Sequence, residues 1–199
     1  MPSAPPAPVE RFRPTSGQVL GWIGLVLLAG AVVLGVVEEA WGVVSGALVL
    51  GVLDWSSMLK PRVLVVGRRL VLRNMLETTS IPLAAIEEIA VRQVLAVRVG
   101  ERRFVSPAVG RSLRQVLKTR GPAPATPAAS GEAVATQAYP DFVEERIRHL
   151  AAEARDVEGI ARYSEEQVAL GAEVRRRPAW LEIGLLALAV VAFVVTLVV

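Results

Sequence analysis

The chain has 199 residues, 53% of them apolar and only 5% aromatic, with a mean hydropathy of +0.47. That profile is too apolar and too uneven for one water-soluble globule. There is no cysteine and a single histidine, His149, which excludes disulfides, thiolate catalysis and Cys-based zinc sites and leaves no second imidazole to share a metal. The net charge of +3 conceals an asymmetry. Residues 60–120 carry thirteen Lys/Arg against four acids, a net +9, whereas residues 132–166 carry nine acids against four arginines, a net −5.

Residues 1–16 hold Pro2, Pro5, Pro6, Pro8 and Pro14 among small side chains. This density of fixed φ angles with little to bury predicts a disordered tail. From Gly17 to Val37, twenty-one residues carry no charge, enough at about 1.5 Å per residue to cross a hydrocarbon core of about 30 Å. We read this run as an anchor rather than a cleaved signal, because no A-x-A site follows and a second apolar run, residues 40–59, comes at once. Residues 17–59 therefore form a transmembrane helical hairpin around the Glu38-Glu39 turn. Gly17-x-x-x-Gly21 and Gly42-x-x-x-Gly46 put small residues on one helical face, where backbones can approach. Asp54, the one acid inside these runs, stands beside Trp55, Ser56 and Ser57 and is expected at the wet interface. Arg11 and Arg13 precede the first run and Lys60 and Arg62 follow the second, so the positive-inside bias puts both flanks in the cytoplasm.

Residues 60–120 read as a β-rich module. Period-two alternation predicts about six short strands, over 63–66, 70–74, 78–81, 89–92, 95–99 and 102–105, with two-residue turns at Gly67-Arg68 and Gly100-Glu101. Ser106-Pro107 has the form of a helix start, leading into a basic amphipathic helix that ends at Lys118. Antiparallel strands closed by one amphipathic helix make the layout of a small pleckstrin-homology-like (PH-like) β-barrel with a C-terminal helix.

Two membrane runs, the strand Lys60-Pro-Arg-Val, the segment Leu70-Val-Leu-Arg-Asn74 and then Ile81-Pro-Leu-Ala-Ala-Ile-Glu-Glu-Ile-Ala-Val-Arg92 resemble the bacterial PH-domain membrane proteins of actinobacteria. The resemblance covers about residues 11–120 and implies a fold and a membrane location but no reaction. Of the Lys/Arg pattern that eukaryotic PH domains carry in their first hairpin, only Arg68 and Arg69 have counterparts here.

Residues 121–140, with Pro122, Pro124 and Pro127, read as a linker. Residues 141–177 follow as amphipathic, charged helices. Asp141 and Glu144 have capping-box spacing, as do Ser164 and Gln167, and Val143, Ile147, Leu150, Ala154, Val157 and Ala161 form a stripe suited to a coiled coil or to packing on the module. The opposite charges of the two segments lead us to expect that residues 141–170 fold back onto the module and compete with outside ligands. Residues 178–199 are a third apolar run, preceded by Arg175, Arg176 and Arg177, which predicts a C-terminal transmembrane helix with its end outside.

The fold class expected is thus an α+β membrane protein of the plasma (inner) membrane. No nucleophile–base pairing, phosphate loop or metal-ligand spacing stands in the sequence, so catalysis and cofactors are not expected. The adjacent Glu87 and Glu88 should face opposite ways, as a solvated edge or as partners of Arg92. The candidate binding surface is basic: Arg62, Arg68, Arg69, Arg73, Arg98, Arg102 and Arg103. Beside an anionic leaflet each such cation contributes about 1 kcal/mol of attraction. Two functions fit: a membrane-anchored adaptor that binds a protein partner or anionic lipid headgroups, or an accessory subunit of a larger transport or envelope complex held by its helices. Nucleic acid is not an expected partner, since Phe104 is the module's one aromatic for stacking.

Overall fold

A computed structural model of the chain describes residues 9–14, 17–110 and 131–198. It divides into two units, one of sheets and one of helices.

In the sheet unit, strands β1 (Val9–Phe12), β2 (Arg62–Val66), β3 (Arg69–Arg73), β4 (Glu77–Pro82) and β8 (Arg175–Pro178) lie in that order in one sheet, and β5 (Glu88–Val91), β6 (Leu95–Val99) and β7 (Arg102–Ser106) form a second. The apolar alternation of the sequence is why these segments are strands: Val63, Val65, Leu70, Leu72 and Ile81 are buried on one face, with their neighbours on the other. Both hairpin turns are two residues long, Val66 pairing with Arg69 and Val99 with Arg102. Gly67 and Gly100 stand at the first turn position with φ of 58° and 56°, a backbone that glycine adopts without cost and that matches the twist of the flanking strands. The strands form two sheets rather than one continuous barrel, because the 3-10 turn Leu83–Ala85 carries the chain from the first sheet into the second.

The expected tail behaves differently from its composition. Val9–Phe12 pairs antiparallel with β2, and Phe12 is buried in the core. Four residues of Val-Glu-Arg-Phe alternate as a strand does, and a paired edge satisfies backbone groups that the prolines on either side would leave open. The turn at residues 107–110 follows β7 directly, so no helix begins at Ser106, whose hydroxyl instead accepts from the Ala108 N–H at 3.5 Å. The rest of the predicted basic helix, residues 111–120, lies outside the described residues, as does 121–130 of the predicted linker.

Helix α3 (Gly131–Glu158) starts inside the segment read as a linker and runs through Pro140. The Ala-rich stretch before the proline favours helix, and Pro140 removes one backbone donor without ending it. Val143, Ile147, Ala151 and Ala154 are buried in the same core as the inner faces of both sheets. The stripe therefore packs on the module, while Val157, also expected on it, is 61% exposed. Glu144 does not close a capping box. Its carboxylate accepts from the Val91 N–H of edge strand β5 at 2.9 Å and from Arg148 at 2.6 Å. The Arg146 guanidinium forks onto Glu10 at 3.0 and 3.1 Å, tying β1 to α3, and this hydrogen-bonded carboxylate raises the Arg146 pKa above its ordinary value.

Helix α4 (Glu165–Ala169) has the expected N-cap, Ser164 Oγ accepting from Gln167 N–H at 3.2 Å. Gln167 is fully buried. Its amide donates to the carbonyls of Ala84 and Ile86 at 2.9 and 3.2 Å, and its oxygen accepts from Tyr163 N–H at 2.6 Å. Gln167→Leu is expected to destabilise the unit by about 2–4 kcal/mol, because it orphans these buried groups; a denaturant melt of the full chain measures it, and a loss under about 0.5 kcal/mol would refute the role.

In the helical unit, α1 (Gln18–Val37), α2 (Trp41–Asp54) continued by the π-helical turn Trp55–Leu59, and α5 (Trp180–Val198) are three helices long and apolar enough to cross a membrane. A methyl group on Gly17 or Gly21 would meet Met58, at 3.7 and 3.0 Å, and one on Gly46 would meet Phe193 at 3.3 Å. These glycines hold the helices close, whereas Gly42 has open space around it. Ser45 and Thr196 share a hydrogen bond of 2.7 Å between α2 and α5. Lys60 is paired with Glu182 at 2.5 Å and donates to the Met75 carbonyl. Asp54 is turned toward α1 rather than outward: its carboxylate lies against Gly24, where an added methyl would come within 3.2 Å of Oδ2, and Oδ2 is buried with no hydrogen-bond partner among the described residues.

Candidate functional site

Six of the seven arginines singled out from the sequence fall on two different sheets, and Arg68 lies in the β2–β3 turn. The β2–β3 register sets Arg62 opposite Arg73, Leu64 opposite Val71 and Val66 opposite Arg69. Since Val63, Val65, Leu70 and Leu72 fill the core, these three pairs project from the outer face of the five-stranded sheet. Arg11, opposite Leu64 on β1, projects from the same face. Arg11, Arg62 and Arg73 are all exposed, and among the described residues none has an acid within ion-pair range.

The remaining candidates are held differently. Arg69 is half-buried, its guanidinium donating to Ser80 Oγ at 2.8 Å and to the Glu173 carbonyl at 2.7 Å. Arg68, in the β2–β3 turn, reaches Glu158 at 3.4 Å. The acidic segment thus meets the basic one at Arg68, while Arg69 is held by Glu173, just beyond that segment.

On the second sheet Arg98 lies opposite Arg103 and also opposite Glu88. Glu87 and Glu88 stand 3.4 and 3.7 Å from Arg98, so their cation is Arg98 and not the expected Arg92. Glu87 is buried rather than solvated, and its second oxygen accepts from the Gly100 N–H at 2.9 Å. Arg102 and Arg103 are exposed and have no acidic partner among the described residues. Arg102 also lines a shallow cavity of about 250 Å³ with Glu101 and Gly171, whose two charged walls carry opposite signs.

The site residue that reading the sequence missed is Arg11, because the prolines around it argued for disorder. The signal was present in the alternation Val9-Glu10-Arg11-Phe12. Phe104, the module's aromatic, is 4% exposed and lies under Arg176, 5.1 Å from ring to guanidinium, so it offers no stacking surface to a base. Among the described residues no group of three or more His, Asp or Glu side chains is placed to hold a metal ion.

What the arrangement can do chemically is bind anions: exposed guanidiniums from three adjacent strands share one rigid face. No protein-family model, no curated protein and no solved structure matches the chain.

Proposed function

We propose that this protein is a membrane-anchored PH-like adaptor at the cytoplasmic face of the plasma membrane, and that the outer face of its five-stranded sheet binds anionic lipid headgroups. The observation that carries this reading is the trio Arg11, Arg62 and Arg73 on one sheet face, without an acidic partner among the described residues, with β1 and β2 only a few residues of chain from apolar helices. Two residues of chain, Lys60 and Pro61, separate the end of the π-helical turn at Leu59 from Arg62. A basic face tethered that closely to a bilayer meets the leaflet at high local concentration, and each cation near an anionic surface contributes about 1 kcal/mol. We assign the module no reaction.

The absence of cysteine makes the test clean. A spin label on Val66→Cys, an exposed position of the outer face, reports access to an aqueous relaxation agent in the full chain reconstituted into nanodiscs. Access is expected to fall severalfold when phosphatidylglycerol replaces part of a phosphatidylcholine bilayer, and to recover in about 1 M salt, where screening shortens to about 3 Å. A label indifferent to both lipid and salt, with a second protein still bound through the helices, would favour an accessory subunit instead.

A further inference from the structure

We infer that Arg62 and Arg73 together form a binding site for a phosphate monoester dianion. This rests on the anionic-headgroup reading and names the group that the face selects.

The two arginines stand directly opposite each other on neighbouring antiparallel strands, so their Cβ atoms are about 5 Å apart and their side chains leave the sheet together. Like charges in that position work against strand pairing. The second sheet contains the same arrangement, Arg98 opposite Arg103, and there it is neutralised: Glu88 faces Arg98 across the adjacent ladder and Glu87 reaches it from below. No acid does this for Arg62 and Arg73 among the described residues. Lys60, two residues before Arg62, is already engaged with Glu182, and Arg69, further along β3, with Ser80 and Glu173. The pair is thus a concentrated, unneutralised double positive charge at the open end of a hairpin, bordered by the third exposed arginine, Arg11, on β1.

The chemistry that completes it follows from geometry and charge. Each guanidinium presents parallel N–H donors that match two oxygens of a tetrahedral phosphate. A monoester carries close to two negative charges near neutral pH, against one for a diester, and so balances both cations at one point. A terminal phosphate on a lipid and free inorganic phosphate share this chemistry.

The experiment titrates the full chain in neutral detergent, by calorimetry, with dihexanoyl phosphatidic acid, dihexanoyl phosphatidylglycerol and inorganic phosphate. Phosphatidic acid is expected to bind about tenfold more tightly than phosphatidylglycerol. The exposed double substitution Arg62→Gln/Arg73→Gln should abolish that preference, and Arg62→Lys/Arg73→Lys, which keeps the charge but not the fork, should also lose it while retaining phosphatidylglycerol binding. Inorganic phosphate binding as tightly as phosphatidic acid, with the same dependence on both arginines, would identify the site's source as soluble phosphate and still support it. Equal binding of the two lipids, or a preference unchanged in the glutamine variant, would overturn the monoester site. If phosphatidylglycerol still bound in a salt-sensitive way, the broader headgroup reading would survive that result; no binding of either lipid would remove both.

Discussion

Replacing Ile147 by aspartate is expected to unfold the sheet unit while the apolar helices stay helical. Ile147 has no exposed surface and lies in the core shared by both sheets and α3. Truncating such a side chain to alanine costs about 2–5 kcal/mol, and an unpaired carboxylate in the same place adds a desolvation penalty of several more. A domain with the usual 5–15 kcal/mol of stability does not survive that. Limited proteolysis of the full chain should then cut within residues 62–106, which the native protein protects, and Ile147→Val should remain folded with a loss of about 0.5–1.5 kcal/mol. An Ile147→Asp protein as protease-resistant as the parent would show that α3 is dispensable.

The same packing corrects the idea that the acidic segment is a detachable competitor for ligands. Val143, Ile147, Ala151 and Ala154 belong to the core, and Gln167 and Arg155 satisfy the carbonyls of Ala84 and Ile86. Deleting residues 132–172 would therefore expose the core rather than free the basic face.

Gly110→Ala is the second large expected effect. A methyl at Gly110 would overlap the carbonyl oxygen of Gln93 and lie 2.7 Å from its carbon. Both are backbone atoms, so relief requires the β5–β6 connection or the 107–110 turn to move, and overpacking of this kind costs about 1–3 kcal/mol or more. Gly100→Ala is the informative companion. Nothing lies within 4 Å of the added group there, but φ is +56°, so the cost is conformational alone, about 1–2 kcal/mol. Thermal melts of the two variants should rank Gly110→Ala as the less stable; the reverse order would mean that the close approach to Gln93 is relieved without strain.

The six central strands and three apolar helices were legible because their signals are local. Alternation shows which residues of Leu70–Arg73 face a core, and twenty uncharged residues show a helix long enough to cross a bilayer, whatever the rest of the chain does. The glycine turns at 67 and 100 were readable for the same reason, since two residues decide the backbone.

The features that escaped depend on partners far along the chain. Residues 9–12 are a strand because β2 offers an open edge fifty residues later. Glu144 abandons a local cap because the Val91 N–H lies within its reach, and Glu87 turns to Arg98, not Arg92, because the hairpin sets residue 98 opposite the adjacent Glu88. The candidate site shows the division most plainly. Sequence alone determined that this region is rich in arginine, since composition is additive and needs no coordinates. Tertiary structure alone decided which arginines have partners, leaving Arg11, Arg62 and Arg73 on one face and pairing Arg68, Arg69 and Arg98, because charge neutralisation acts over a few ångströms and strand register sets who is that near.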